Sequence, residues 1–298
     1  MLIQGLLAGA AAGLYMGLSG YMAGQMSRVP RIYPETTPDC LGLRYEDAVF
    51  RSRGGSLELR GWLVWEGSPD SWVILVHGIG GNRAHNAVNM LGLTRDLARR
   101  GIGVFTFDLR AHGHSQGSRV TMGNEERADL QGAIDFLEAR GVARGRIGLL
   151  GFSLGAVIAI MAASLERGLA GLVLDSPFAN LMEMARQETS RRGGMLRFLL
   201  PGIALMGRAL YGVDMSSVRP LEAVRSVDCP LLFIHGAEDK MVSPSHSARL
   251  YEAAEGDKEL WLAPDARHAQ GYNTHPLEYV DRVADFFERA RPRPAGLP

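Results

Sequence analysis

Ser153 stands between two glycines in Gly151-Phe152-Ser153-Leu154-Gly155, after the apolar run Ile147–Leu150 and before an apolar run that continues to Ile160. A serine hydroxyl is a weak nucleophile at neutral pH, and it needs a base in contact with it and an acid to orient that base. The G-x-S-x-G spacing suits the task, because it reads as strand, sharp turn and helix, with small flanks that let helix and strand approach closely. A serine that merely caps a helix is the competing reading of the bare pattern.

Candidates for base and acid lie downstream, each at the end of an apolar run. The run from Leu231 ends in a turn that carries Glu238 and Asp239, and the run from Leu260 ends in a loop that carries His268. Ser153, Asp239 and His268 therefore come from the ends of different strands. Glu238 is an alternative acid, and His235, His246 and His275 are alternative bases. Upstream, Trp72–Val76 opens into His77-Gly78-Ile79-Gly80-Gly81, a loop of the His-Gly-x-Gly-Gly type that lends a backbone N–H to an oxyanion hole.

These motifs, in this order, resemble the α/β-hydrolase superfamily from about residue 45 to residue 290. Within it the chain is most similar to small-capped, membrane-anchored serine carboxylesterases and α/β-hydrolase-domain proteins. The resemblance implies the chain order Ser153, Asp239, His268. The family pattern G-x-x-D-x-x-V maps onto Gly236, Asp239 and Val242 and prefers Asp239 to Glu238. The same pattern assigns the oxyanion hole to the backbone N–H groups of Ile79 and Leu154, and it needs no cofactor. His77 fits the role of shaping the oxyanion loop and, with Gly78, Phe178 and Met182, is also a candidate to meet the substrate. The segment from Asp108 to Ser115 resembles a D-x-R-G-x-G-x-S loop, but Ala111 and His112 stand where the family more often has a glycine and a variable residue.

The elements that must position these residues follow from the rest of the chain. A length of 298 residues suits one large α/β domain with an added segment. Strand and helix alternate, which predicts an α/β-hydrolase fold: a mainly parallel, doubly wound sheet with a short helical cap. Two β-like segments between Tyr45 and Trp65 flank a turn at Arg53-Gly54-Gly55-Ser56 and form an antiparallel entry. Helices are expected over 84–100, ended by Gly101, from near Asn124 with Asn124 or Thr121 as cap, and over 276–291. Arg127 and Asp129 read as solvated surface. The fifty residues between Pro177 and Pro230 exceed a simple crossover, so a cap is placed at about 178–226. That insertion carries Met182, Met184, Met195, Phe198 and Leu205 among Arg191, Arg192, Arg197 and Arg208. Such a surface can adapt to varied acyl chains, rest on lipid headgroups, or simply pack helix on helix.

Leu2–Ser27 contains no charged side chain and six glycines, of which Gly5, Gly9, Gly13 and Gly17 stack on one face. A helix of about 20–25 residues crosses the hydrocarbon. The run reads as a retained transmembrane or interfacial helix over 1–28 that could pair two copies through its glycine face. A signal peptide usually has basic residues before its apolar run, which are missing here, and a soluble association helix is the third reading. Arg28 and Arg31 follow the run, which would keep the catalytic domain on the cytoplasmic side. The Pro-rich stretch 29–44 reads as a semi-rigid linker, and 45–291 as the hydrolase domain.

Charge and chemistry exclude other classes. The 32 basic and 32 acidic residues balance, so a nucleic-acid partner has no electrostatic support. His112 and His114 form no metal-like cluster. Cys40 and Cys229 read as two unrelated thiols rather than a disulfide. The expected activity is ester hydrolysis, on short to medium acyl esters or monoacylglycerol-like lipids. The alternatives are an acyl-protein or acyl-CoA thioesterase and a non-enzymatic binding module of the same fold.

Overall fold

The computed structural model describes residues 1–55, 57–192 and 194–290, without the side chains of 188–195. The aliphatic runs become inner strands of one sheet. Its strands are β1 (Tyr45–Arg51), β2 (Glu58–Val64), β3 (Ser71–Val76), β4 (Ile102–Phe107), β5 (Ile147–Phe152), β6 (Gly171–Asp175), β7 (Leu231–Gly236) and β8 (Lys258–Ala263). They lie in the order β1-β2-β4-β3-β5-β6-β7-β8. β1 pairs antiparallel with β2 and β2 with β4, and every other neighbouring pair is parallel. Strands β4, β5 and β6 are buried along their whole length, as expected where helices cover both faces. The chain thus has the α/β-hydrolase fold, with its crossovers made by helices.

The helices are α1 (Leu2–Met26), α2 (Met90–Arg99), α3 (Glu126–Ala139), α4 (Leu154–Ala163), α5 (Leu181–Arg192), α6 (Gly194–Tyr211), α7 (Pro220–Ala223), α8 (Ser245–Ala253), α9 (Gly271–Thr274) and α10 (Pro276–Ala290). Two of them start later than the sequence predicts. The helix expected over 84–100 is a 3-10 turn at Asn86–Val88 followed by α2, because Asn89 adopts a left-handed backbone and caps α2 by accepting from the Gly92 N–H. The helix expected near Asn124 begins at Glu126, with the Thr121 hydroxyl accepting from the Glu125 N–H just ahead of it. Ser56 of the expected hairpin turn and Arg291 of the last helix lie outside the described residues, as do the side chains of Arg191, Arg192 and Met195.

Asp129 also differs from expectation. It is fully buried rather than solvated. Its carboxylate accepts from the backbone N–H, Nε and Nη2 of Arg110, the last at 2.7 Å. A pair of opposite charges in this position survives burial only because each partner satisfies the other.

The proline-rich stretch is fastened to the domain instead of standing free. The Arg31 guanidinium donates to the carbonyls of Gly113 (2.9 Å), Ser115 (2.5 Å) and Gly117 (2.7 Å), and Leu41 and Leu43 pack beside Trp62. Both cysteines are free. Cys40 is exposed, and burial pushes the Cys229 thiol up to about 12.

α1 and α6 run side by side in the same direction. Contacts advance together along both: Tyr15 with Phe198 and Gly202, Ser19 with Gly202, Gly20 with Met206, and Gly24 with Tyr211. Gly20 and Gly24 therefore seat the cap helix, whereas added Cβ atoms at Gly5, Gly9, Gly13 and Gly17 would meet nothing within 4 Å. The outer turns of α1 are exposed.

Removing one member of a buried ion pair strands the other. Asp129→Ala is expected to cost about 3–5 kcal/mol of stability, read as a lower denaturation midpoint in urea with the slope unchanged.

Candidate active site

β5 runs straight into α4 through Ser153, whose φ of 54° lies in the left-handed region. A non-glycine residue holds such a backbone only where its surroundings over-determine it. Here they do: a Cβ on Gly151 would collide with the Gly155 carbonyl group, and one on Gly155 with the Val76 carbonyl oxygen. Both glycines let the turn pack backbone to backbone against its own helix and against β3. Ser153 occupies the N-cap position of α4, yet its side chain makes no cap hydrogen bond. Its hydroxyl is directed elsewhere.

That hydroxyl meets His268. The Ser153 Oγ–H donates to His268 Nε2 at 2.9 Å, and His268 Nδ1–H donates to Asp239 Oδ2 at 2.7 Å. Asp239 sits in the turn after β7, and His268 in the loop after β8. Asp239 Oδ1 accepts from the Met241 and Val242 N–H groups at 2.8 and 2.9 Å, so the turn itself aims the carboxylate. Burial works to raise the Asp239 carboxyl, but hydrogen bonds from His235 and His268 outweigh it and leave it well below the usual carboxylate range. The acid therefore stays charged whenever His268 takes a proton.

The alternative residues are occupied in other ways. Glu238 is exposed. His235 is fully buried, its Nε2 facing the Val242 carbonyl (2.9 Å) and Asp239 Oδ2 (3.2 Å), its Nδ1 facing Ser247 Oγ (2.6 Å). It supports the acid rather than meeting Ser153. His246 accepts from the Ala179 N–H and His275 donates to the Pro264 carbonyl.

The loop after β3 adjoins the serine. A Cβ on Gly78 would stand 3.2 Å from the Phe152 carbonyl oxygen and 3.5 Å from Ser153 Cβ. Leu154 opens α4, where a backbone N–H has no carbonyl one turn back to bond. Among the described residues the Ile79 N–H, too, has no hydrogen-bond partner. Two amides on neighbouring backbones thus make no backbone hydrogen bond among the described residues.

Of the residues expected to meet substrate, His77 lies inside the loop's support. Its Nδ1–H donates to the Gly78 carbonyl at 2.7 Å and its Nε2 accepts from the Leu109 N–H at 3.0 Å. Burial, and then the neighbouring His112, hold it well below the usual histidine range, so it is neutral. Phe178 is packed in the main core, and Met182 is half-buried on α5.

His112 is a supporting residue of this loop that sequence reasoning missed. Its Nδ1–H donates to the Arg110 carbonyl (2.8 Å) and its Nε2 accepts from the Gly80 N–H (3.1 Å), which ties the oxyanion loop to the loop after β4. The only signal was its departure from the resembled pattern. The other departure has a structural reading as well: Ala111 has a φ of 61°, a backbone that suits the family's glycine better. The fixed residues of this loop are all spent on holding it. Asp108 accepts from the Arg83 and His114 N–H groups, Arg110 pairs with Asp129, and the Ser115 hydroxyl donates to the Asp108 carbonyl.

A concavity of about 670 Å³ opens at the other end of the sheet, before β7 and β8, among Arg167, Arg225, Asp228 and Glu255. It is remote from Ser153, and its mixed charges point to no ligand. Among the described residues no group of three or more His, Cys, Asp or Glu could hold a metal ion.

Residues 67–219 match the family described as serine aminopeptidase, S33. The chain is 29% identical to the uncharacterized protein YqkD of Bacillus subtilis over 78% of this chain and 75% of that protein. It is also 29% identical to the alpha/beta hydrolase domain-containing protein WAV2 of Arabidopsis thaliana, over 74% and 70%. Among solved structures, the Pyrococcus furiosus esterase PF2001 superposes with a TM-score of 0.74 at 28% identity, covering 89% of this chain and 98% of the esterase.

His112→Ala frees the Gly80 N–H and with it the oxyanion loop. We expect kcat on an activated ester to fall about 10-fold, a fraction of what a missing oxyanion donor costs, with KM little changed. Steady-state kinetics at saturating substrate reads this directly.

Proposed function

Because the chain belongs to the family described as serine aminopeptidase, S33, within the α/β-hydrolase superfamily, we propose that it hydrolyses carboxylic esters through an acyl-enzyme on Ser153. The substrates are short to medium acyl esters or monoacylglycerol-like lipids. The observation that carries this is the continuous hydrogen-bond path from Ser153 through His268 to Asp239.

The reaction follows from that path. His268 Nε2 takes the hydroxyl proton as Ser153 Oγ attacks the acyl carbon, and Asp239 holds the imidazole tautomer and stabilises its cation. The carbonyl electrons move onto the oxygen, which the N–H groups of Ile79 and Leu154 receive; one such donor is worth on the order of 3 kcal/mol of barrier. The C–O bond of the ester then breaks, and His268 returns the proton to the leaving alcohol. Water repeats the sequence on the acyl-enzyme and releases the acid. No step calls for a cofactor.

The likeness to the PF2001 esterase over nearly its whole length favours an ester over a peptide bond. A thioester is the second reading, since α1 would hold the same triad close to membrane-borne acyl-cysteine. For α1 the reading is membrane association through residues 2–27 with the catalytic domain on the cytoplasmic side. Its 25 residues make a helix of about 37 Å, long enough to cross the hydrocarbon. The exposed Phe198 and Leu205 of α6 lie beside it and favour contact with lipid. The open glycine face from Gly5 to Gly17 is the proposed surface for a homodimer.

The deciding experiment is hydrolysis of a p-nitrophenyl ester series from acetyl to palmitoyl, in detergent, by wild type and Ser153→Ala. We expect Ser153→Ala to lose on the order of 10⁴-fold or more in kcat and the chain-length optimum to identify the acyl class. Labelling of wild type by a fluorophosphonate without ester turnover would move the reading to thioesters or amides, and absent labelling would favour a binding module. A Gly9→Ile, Gly13→Ile variant that self-associates like wild type in detergent would remove the proposed dimer face.

A further inference from the structure

Asp175 is a fully buried carboxylate beside the triad that the mechanism above leaves unused. It ends β6, between the strand that delivers Ser153 and the strand that leads to Asp239. Asp175 and the next residue, Ser176, together reach four separate elements. The Asp175 carbonyl accepts from the Ser153 N–H at 2.8 Å, fixing the nucleophile's own amide. The next residue, Ser176, donates its N–H to the Ile234 carbonyl of β7 at 2.9 Å. The Ser176 hydroxyl donates to Asp175 Oδ1 at 2.9 Å and accepts the Ala269 N–H at 3.0 Å. From α10, the Tyr279 hydroxyl donates to Asp175 Oδ2 at 3.1 Å.

Ala269 is the residue after His268, so this network ends on the loop that holds the base. Ser153, Ser176 and Ala269 all carry positive φ, at 54°, 52° and 51°. Three such backbones in side chains other than glycine persist only where hydrogen bonds hold them. We infer that Asp175 is a positioning residue for the reaction proposed above: acting through Ser176, it holds the histidine loop in the register that keeps His268 in contact with Ser153.

The network works fully only with Asp175 ionised. As a carboxylate it accepts both hydroxyl protons, from Ser176 on Oδ1 and from Tyr279 on Oδ2. A proton placed on Oδ2 reverses the Tyr279 link, because a tyrosine hydroxyl also accepts, and leaves the Tyr279 proton without its acceptor. Burial drives the Asp175 carboxyl up to about 6, against the hydroxyl of Ser176, the nearby His235, Tyr279 and His268. Burial and Asp175 together raise Tyr279 well above the usual tyrosine range, so it remains a donor. The ionisable groups facing Asp175 are thus Tyr279 on α10, His235 on β7 and His268 on its loop. Because the acid's folded value lies above its ordinary one, it takes up its proton as pH falls through about 6 and is fully charged above that. Activity should therefore lose an Asp175-dependent part as pH falls through about 6.

The test uses the full chain and two readouts, kcat and KM on p-nitrophenyl butyrate and the rate of Ser153 labelling by a fluorophosphonate, each against pH. Asp175→Asn is expected to lower kcat about 10- to 100-fold at pH 8, the scale of a misplaced catalytic group, with KM within about 2-fold. Its acid limb should lose the part that sets in near pH 6 in the wild type. Ser176→Ala should share the kcat loss. A folded Asp175→Asn protein with wild-type kcat and an unchanged acid limb overturns the inference. Should Asp175→Asn not fold, Tyr279→Phe keeps the packing and removes one donor; its acid limb should move to higher pH, and a wild-type limb overturns the inference. Labelling separates the two readings. A wild type that the probe labels while Asp175→Asn is labelled with the same rate and pH dependence refutes the positioning role alone, and a wild type that the probe does not label refutes the serine-hydrolase reading and this inference with it.

Discussion

The left-handed backbone at Ser153 is the constraint on which the rest of the site depends. To lift a hydroxyl clear of the sheet, the chain must turn from strand to helix within one residue, and that turn leaves no room for a Cβ at Gly151 or Gly155. Strand β5, helix α4 and the end of β3 then meet backbone to backbone. The close approach brings the loop after β3 against Ser153 and leaves the first amide of α4 beside it, so the proposed nucleophile and the proposed oxyanion donors come from one packing event.

Everything else at this end of the sheet keeps that geometry from relaxing. Two loops after β3 and β4 are cross-linked through the rings of His77 and His112, both neutral and both fully used in hydrogen bonds. Arg110 and Asp129 anchor the second loop to α3. On the far side, Asp239 is aimed by its own turn and backed by His235. Buried polar groups are costly unless fully satisfied, and a fully satisfied network specifies one arrangement. The site thus consists of a few reacting atoms surrounded by many that only hold position.

The helical additions obey a different constraint. α6 needs a surface to cover its inner face, and α1 supplies one through small residues at Ser19, Gly20, Ala23 and Gly24. The cap and the N-terminal helix are one packed unit, fastened further by Arg119 over the ring of Tyr211 and bonded to Ser27. Where α1 goes, the cap goes. The free turns of α1 and the exposed face of α6 consequently share one apolar surface.

The sequence by itself determined the α/β class, the alternation of strand and helix and the elbow, because these rest on local patterns: aliphatic runs of strand length, glycines at fixed spacing, and acid and histidine at strand ends. Ser153 and the candidate acids and bases were legible for that reason; the family resemblance chose Asp239 and His268 among them, and the tertiary structure joins these two to Ser153. Roles that depend on what surrounds a residue were not legible. Asp129 looks like a surface acid on its helix and is a buried counterion, because Arg110 arrives from a different loop. For His77 the sequence left open whether it shapes its loop or meets substrate; it is interior, because the amide of Leu109 folds onto it. Asp175 carries no local signature at all, and His112 only a departure from the resembled loop. Burial and hydrogen-bond partners are properties of which elements meet, and only the folded chain decides that.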